Sequence, residues 1–143
     1  MSNDTIELLK ECNSGIKMGV NAIDECLDKV DSSEFYRLLS DCKEKHQALG
    51  SETHELLNNC GETGKDPNPA ARGMSWIKTN VMLSINNNDR TVADLITDGC
   101  NMGVKSLNRY LNKYESAEDR AKDIAERLIN LESGLAEDIR KYL

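Results

Sequence analysis

Four stretches of this chain place apolar residues alternately three and four positions apart, a spacing that commits them to helices packed side by side. The first runs Ile6, Leu9, Asn13, Ile16, Val20, Ile23, Leu27, Val30, with Asn3 or Asp4 able to cap it. The second runs Phe35, Leu39, Cys42, His46, Leu49, Thr53, Leu56, Cys60 and stops at Gly61. The third opens with Thr91 and Asp94 in the manner of a capping box and continues through Val92, Ile96, Gly99, Gly103, Leu107, Tyr110 and Tyr114. The fourth holds Ala121, Ile124, Leu128, Leu131, Leu135, Ile139 and Tyr142, and the acidic and basic residues on its other faces read as solvated.

The connections decide how these helices run. Asp31-Ser32-Ser33 is so short that the second helix must fold back antiparallel on the first. Residues 61–68 carry Gly, Pro and polar residues and read as a loop, after which Asn68 and Pro69 open a short helix. Its narrow stripe is Ala70, Met74, Ile77, Val81 and Ile85, with Trp76 beside it, and Asn86 to Asp89 form a turn. The predicted fold is all-α: a single domain over residues 1–143, an up-down four-helix bundle with a long crossover between its second and third helices that carries a short extra helix. Helices of about 23–28 residues at ~1.5 Å per residue make such a bundle roughly 35–42 Å long.

A phrase occurs twice. Asn13-Ser14-Gly15-Ile16-Lys17-Met18-Gly19-Val20 returns as Thr97-Asp98-Gly99-Cys100-Asn101-Met102-Gly103-Val104, once in the first helix of each hairpin. Glycine inside a helix costs about 0.5–1 kcal/mol relative to alanine, so two pairs imply a packing requirement. The expectation is that Gly15, Gly19, Gly99 and Gly103 allow close helix approach, and that the two copies face each other or a common neighbour.

Composition narrows the function. The formal charge of −7 is spread along the chain with no Lys/Arg cluster, which argues against nucleic acid. No apolar run approaches the roughly 18–20 residues that span a bilayer, so no membrane partner and a cytoplasmic location are expected. Cys12, Cys26, Cys42, Cys60 and Cys100 form an odd set without C-x-x-C spacing, and read as small buried hydrophobes. Neither a G-x-S-x-G elbow nor a phosphate-binding loop is present.

The run Ala70-Ala71-Arg72-Gly73-Met74-Ser75-Trp76-Ile77-Lys78, the turn at Asn86 to Asp89, and the following helix with Gly99 and Lys105 resemble a ferritin-like bacterial family, domain of unknown function 2383. The resemblance implies a ferritin-like four-helix bundle and assigns no activity. Thr97 and Cys100 stand where the family pattern leads one to expect acidic residues beside the glycine of the fourth predicted helix.

A ferritin-like two-iron site takes a carboxylate from each of two helices and a Glu-x-x-His pair from each of the other two. Here Lys43 and Ser51 stand three residues before His46 and His54, and the last helix has no histidine. His46 reads first as a hydrogen-bonded core residue; if any metal binds, His46, Glu52, Asp24 and Asp98 are the candidates, with Cys42 or Cys100 as a thiol. The favoured expectation is a non-enzymatic binding or assembly module that forms a homo-oligomer or meets a protein partner, without a cofactor, with Trp76 and the four glycines as packing or interface residues. The alternative is an unusual metal-dependent redox protein using iron or another transition metal.

Overall fold

The computed structural model describes residues 2–61 and 88–143. Four long helices follow in order: α1 (Asn3–Leu27), α2 (Ser33–Asn59), α3 (Asp89–Lys113) and α4 (Asp119–Asp138), the last running into a 3-10 turn, η1 (Ile139–Tyr142). The short helix expected over the crossover, and Trp76 with it, lie outside the described residues.

Each start is chemically marked. Ser2, Ser32 and Asn88 accept hydrogen bonds from the backbone N–H of Thr5, Phe35 and Thr91, so the caps fall just before the expected Asn3 or Asp4 and Thr91. α4 lacks such a side chain at Glu118; the Glu118 N–H instead donates to Thr5 Oγ1 of α1 at 2.8 Å. α2 ends at Gly61, whose φ of +76° is a left-handed turn that suits glycine. α1 stops at Leu27, short of the expected Val30, and Asp31 and Ser32 donate their N–H groups to the Asp89 carboxylate at 2.8 and 3.1 Å.

Those last bonds set the topology. They put the start of α3 at the end of the bundle where α2 also starts, so α2 and α3 run the same way and the intervening chain joins opposite ends. At the other end, Ser116 N–H donates to Asp4 at 3.1 Å and fastens the α3–α4 turn to the start of α1. α1 is therefore antiparallel to α3 as well as to α2. α1 touches α2, α3 and, across the diagonal, α4, while α2 packs on α4.

The core lies in two apolar clusters, one toward each end. One contains Ile23, Cys26, Phe35, Leu39, Val92, Ile96, Leu135 and Ile139, with Phe35 stacked on Tyr142 at 4.2 Å. The other contains Leu8, Leu9, Cys12, Ile16, Leu49, Leu57, Leu107, Ile124 and Leu128. None of the five cysteines is in a disulfide, and four of them are buried. Among the described residues no helix is long and apolar enough to cross a membrane.

The inward faces differ from the sequence reading at particular positions. Leu57 rather than Leu56 is buried on α2, and Cys12 and Cys26 sit fully inside α1 while Ile6, Val20 and Leu27 are only partly covered. On α4 the buried residue is Glu132, not its neighbour Leu131. The reading of the last helix's charged residues as solvated is corrected at Glu132, which is buried: it follows Leu128 by four and precedes Leu135 by three, which is the seam spacing itself.

Candidate functional site

His46 and Glu132 occupy the level between the two apolar clusters. On α2, His46 is flanked along the seam by Cys42 and Leu49; on α4, Glu132 is flanked by Leu128 and Leu135. Their relative exposures of 2 % and 8 % make them the only ionisable side chains among the buried polar residues described. His46 Nε2 lies 3.9 Å from Glu132 Oε1, an ion-pair distance but too long for a hydrogen bond.

The glycines of the repeat explain how these two side chains fit. A Cβ on Gly19 would come within 2.9 Å of His46 Cδ2 and 3.0 Å of Nε2, and a Cβ on Gly103 would overlap the Glu132 carboxyl group. Corresponding glycines of the two copies thus each accommodate one member of the pair. The remaining two behave differently: a Cβ on Gly15 would rest on Leu128 at 3.7 Å, and one on Gly99 would meet nothing within 4 Å. The glycines make room for side chains and for open space instead of drawing α1 and α3 backbones together.

That space is a cleft of about 390 Å³ between α1 and α3. All four repeat glycines line it, Met18 and Met102 stand in it from the two copies, and His46, Cys100 and Glu132 reach it from below. Ile23, Ile96, Leu107 and Leu135 supply much of its apolar wall, with Glu11 and Tyr110 farther along. The two copies do face each other, but across a void.

The electrostatics follow from burial. His46 Nδ1 is 2.8 Å from the Cys42 carbonyl oxygen, and since a carbonyl can only accept, Nδ1 carries a proton. The Cys42 sulfur is 3.6 Å from the same nitrogen. Nε2 is then the remaining ring nitrogen and lies against Gly19, while Glu132 Oε2 lies against Gly103, and both are buried without a hydrogen-bond partner. Burial disfavours the imidazolium, but the Cys42 sulfur, the Glu132 carboxylate and the Cys42 carbonyl outweigh it, and the His46 pKa is raised. Burial likewise raises Glu132, with His46 opposing. The two titrate as a coupled pair that binds protons more tightly in the folded state than in the unfolded chain. Burial also drives the Cys100 thiol upward, with Glu132 and Cys42 adding to it, so it remains a neutral wall of the cleft.

The other sequence candidates lie elsewhere. Asp24 pairs with Lys43 on the surface, Asp98 is exposed, and Glu52 forms a two-pronged ion pair with Arg127 at 2.8 and 2.9 Å. The Arg127 guanidinium holds the Glu52 carboxyl below its ordinary range. Exposed pairs of this kind contribute about 0–1 kcal/mol, so Glu52→Gln is expected to shift urea unfolding by less than about 1 kcal/mol. Among the described residues, no group of three or more His, Cys, Asp or Glu side chains is placed to hold a metal ion. Glu132 was the residue missed by sequence reasoning; its signal was the Leu128-Glu132-Leu135 spacing together with a glycine in each repeat at the level of each polar residue.

One substitution made at two glycines separates their roles. Gly99→Ala adds helix propensity without a collision and is expected to stabilise by about 0.5–1 kcal/mol. Gly103→Ala gains the same propensity but must turn the Glu132 carboxyl out of its seat, and a net loss of about 1 kcal/mol is expected. Equal denaturation midpoints for the two variants would contradict this geometry.

No family model matches the chain, and no curated protein matches it. Among solved structures, Dps92 from Deinococcus radiodurans is similar, with a TM-score of 0.75 and 11% identity over 98% of this chain and 86% of that one. At that identity the likeness concerns the backbone arrangement, and it agrees with the helix order and directions described above: the chain adopts an all-α, ferritin-like four-helix bundle fold.

Proposed function

We propose that this protein is a binding module of the ferritin-like class, and that its ligand is a small, largely apolar molecule held in the cleft between α1 and α3. The observation that carries the reading is an apolar cleft lined by the four repeat glycines and by Met18 and Met102, with the buried pair of His46 and Glu132 beneath it. The volume of about 390 Å³ is within the usual range for small-molecule pockets, roughly 300–1,000 Å³.

The donor set does not fit the two-iron centre of ferritin-like proteins, which needs carboxylates from two helices and Glu-x-x-His from two more. α1 and α3 offer glycines at this level, and Lys43 and Ile129 stand three residues before His46 and Glu132. A metal-dependent role is the second reading, favoured by one feature: a histidine whose Nδ1–H is held by a backbone carbonyl is oriented as metal-bound histidines are. Elemental analysis of anaerobically prepared protein tests it; iron, manganese or zinc at one per chain, with thermal stabilisation on its addition, would establish that reading over the first.

Membership in the domain of unknown function 2383 family, a cytoplasmic location and self-association belong to the same proposal. Sedimentation at high micromolar concentration tests the last, and a strict monomer removes it. The binding reading is tested by ligand-observed NMR with a fragment library against the native protein and Gly99→Leu. Leucine at 99 extends into space that a Cβ enters freely, so it should abolish binding while the fold stays intact. Fragments that bind both proteins equally, or no binding to the native protein, would reject the cleft.

A further inference from the structure

Resting on the binding reading above, we infer that the ligand is a single unbranched hydrocarbon chain with a non-anionic polar head. It lies along the α1–α3 cleft with the head beside Glu11 and Tyr110 and the tail toward Ile23 and Ile96.

The cleft is long. It follows one face of α1 from Glu11 to Ile23 and one face of α3 from Tyr110 to Ile96, and on both helices the lining residues succeed one another in steps of no more than four. At ~1.5 Å per residue these stretches are about 18 and 21 Å. α1 and α3 are antiparallel, so Glu11 lies level with Tyr110 and Ile23 with Ile96. Burial, the Glu11 charge and a hydrogen bond to Glu11 raise the Tyr110 phenol above its ordinary range, which agrees with these two side chains meeting at one end.

It is also narrow. A volume of about 390 Å³ spread over that length leaves a mean cross-section of about 20 Å². One polymethylene chain has such a section, and a cage or fused-ring body does not. A Cβ at Gly99 would stand in open space, so the slot stays clear there, and the thioethers of Met18 and Met102 can adjust around a chain.

Polarity is graded along the same axis. Ile23, Ile96 and Leu135 close one end with hydrocarbon, while Glu11 and Tyr110 place a carboxylate and a phenol at the other. No Lys or Arg lines the cleft among the described residues, and Arg109 acts on Tyr110 from the exposed side of α3. A head that donates a hydrogen bond is accepted by Glu11, whereas a carboxylate head meets a like charge.

Hexan-1-ol, octan-1-ol, decan-1-ol, decanoate and adamantan-1-ol, which folds the ten carbons of decanol into a cage, are titrated at neutral pH into the isotope-labelled full chain. The amide signals of Gly15, Gly19, Gly99 and Gly103 are followed. Affinity should rise about fourfold for each methylene added from hexan-1-ol to decan-1-ol. Adamantan-1-ol, too wide for the slot, and decanoate, repelled at the head, should each bind about tenfold less tightly than decan-1-ol. Hexan-1-ol should move Gly15 more than Gly99, with the Gly99 shift growing as the chain lengthens. Glu11→Gln keeps the side-chain shape and should bring decanoate to within about twofold of decan-1-ol. Adamantan-1-ol or decanoate binding the native protein as tightly as decan-1-ol, or hexan-1-ol moving Gly99 more than Gly15, would overturn the inference while leaving the cleft as a binding site. No shift at any of the four glycines with any probe, as filling by another segment of the chain would give, would overturn the binding reading and this inference together.

Discussion

His46→Leu is expected to destabilise the fold by about 3 kcal/mol, whereas His46→Leu/Glu132→Leu should recover that loss or exceed native stability. Removing one member of a buried ion pair costs about 3–5 kcal/mol because the other charge is stranded, and the low end applies here because Glu132 can take up a proton instead. Glu132 has no other partner where it sits: its carboxyl group fills the space left by Gly103, and Oε2 makes no hydrogen bond. Replacing both members with hydrocarbon of similar volume removes the cost of keeping polar atoms dry, and such exchanges are neutral or stabilising by up to about 1–4 kcal/mol. The double variant also fuses the two apolar clusters into one, since a leucine at each position would bridge Cys42 to Leu49 on α2 and Leu128 to Leu135 on α4. Urea denaturation of the four proteins in the cycle measures the coupling. Additive losses, with the double variant the least stable of the four, would mean that the pair does not act as a unit.

A second large effect should appear with pH. Folded His46 has a pKa raised above its ordinary 6.5, so its contribution is complete below about that value and is lost as the pH rises through the raised one. Glu132, also raised, acts in the same direction: the folded state binds a proton that the unfolded chain has released. Native stability should therefore fall from about pH 6.5 toward about pH 10 by up to about 1.4 kcal/mol per pH unit, the limit for one proton. The groups facing His46 are Cys42 on its own helix, Glu132 on α4 and Cys100 on α3, with Glu11 farther along the cleft. From about pH 9 the buried thiols of Cys12 and Cys26, pushed up to about 12 from an ordinary 9.0, add a loss of the same sign. The His46→Leu/Glu132→Leu protein is the reference, and its stability should be nearly flat over about pH 6.5 to 8.5. A native protein equally flat across that range would show that the pair binds no extra proton on folding.

Either effect bears on the proposed function because the pair that limits stability lies beneath the proposed binding cleft. A core built for stability alone would carry apolar residues at both positions, as the seam does on either side of them. Retaining a histidine and a glutamate there, each opposite a glycine of the repeat, keeps two polar groups dry beneath the α1–α3 cleft.

Much of the architecture could be read directly from the chain. The three-and-four spacing gave four helices, Asp31-Ser32-Ser33 gave the first antiparallel turn, and Gly61 marked the end of α2. His46 was visible as a polar entry on an apolar stripe. Its partner was harder to see, because Leu131 and Glu132 are adjacent and hydrophobicity alone selects the leucine.

The sequence by itself determined the four long helices, their approximate ends and the pairing of hairpins, because caps, turns and seam spacing act over a few residues. Only the tertiary structure decided which of two neighbouring positions faces inward. Each helix turns about its own axis until all four faces fit, and a 3.6-residue helix drifts about 20° per heptad against a strict seam. That rotation buried Leu57 and Glu132 in place of Leu56 and Leu131. The same packing decided what the repeated glycines do: two of them seat His46 and Glu132, and the space beside all four is the cleft.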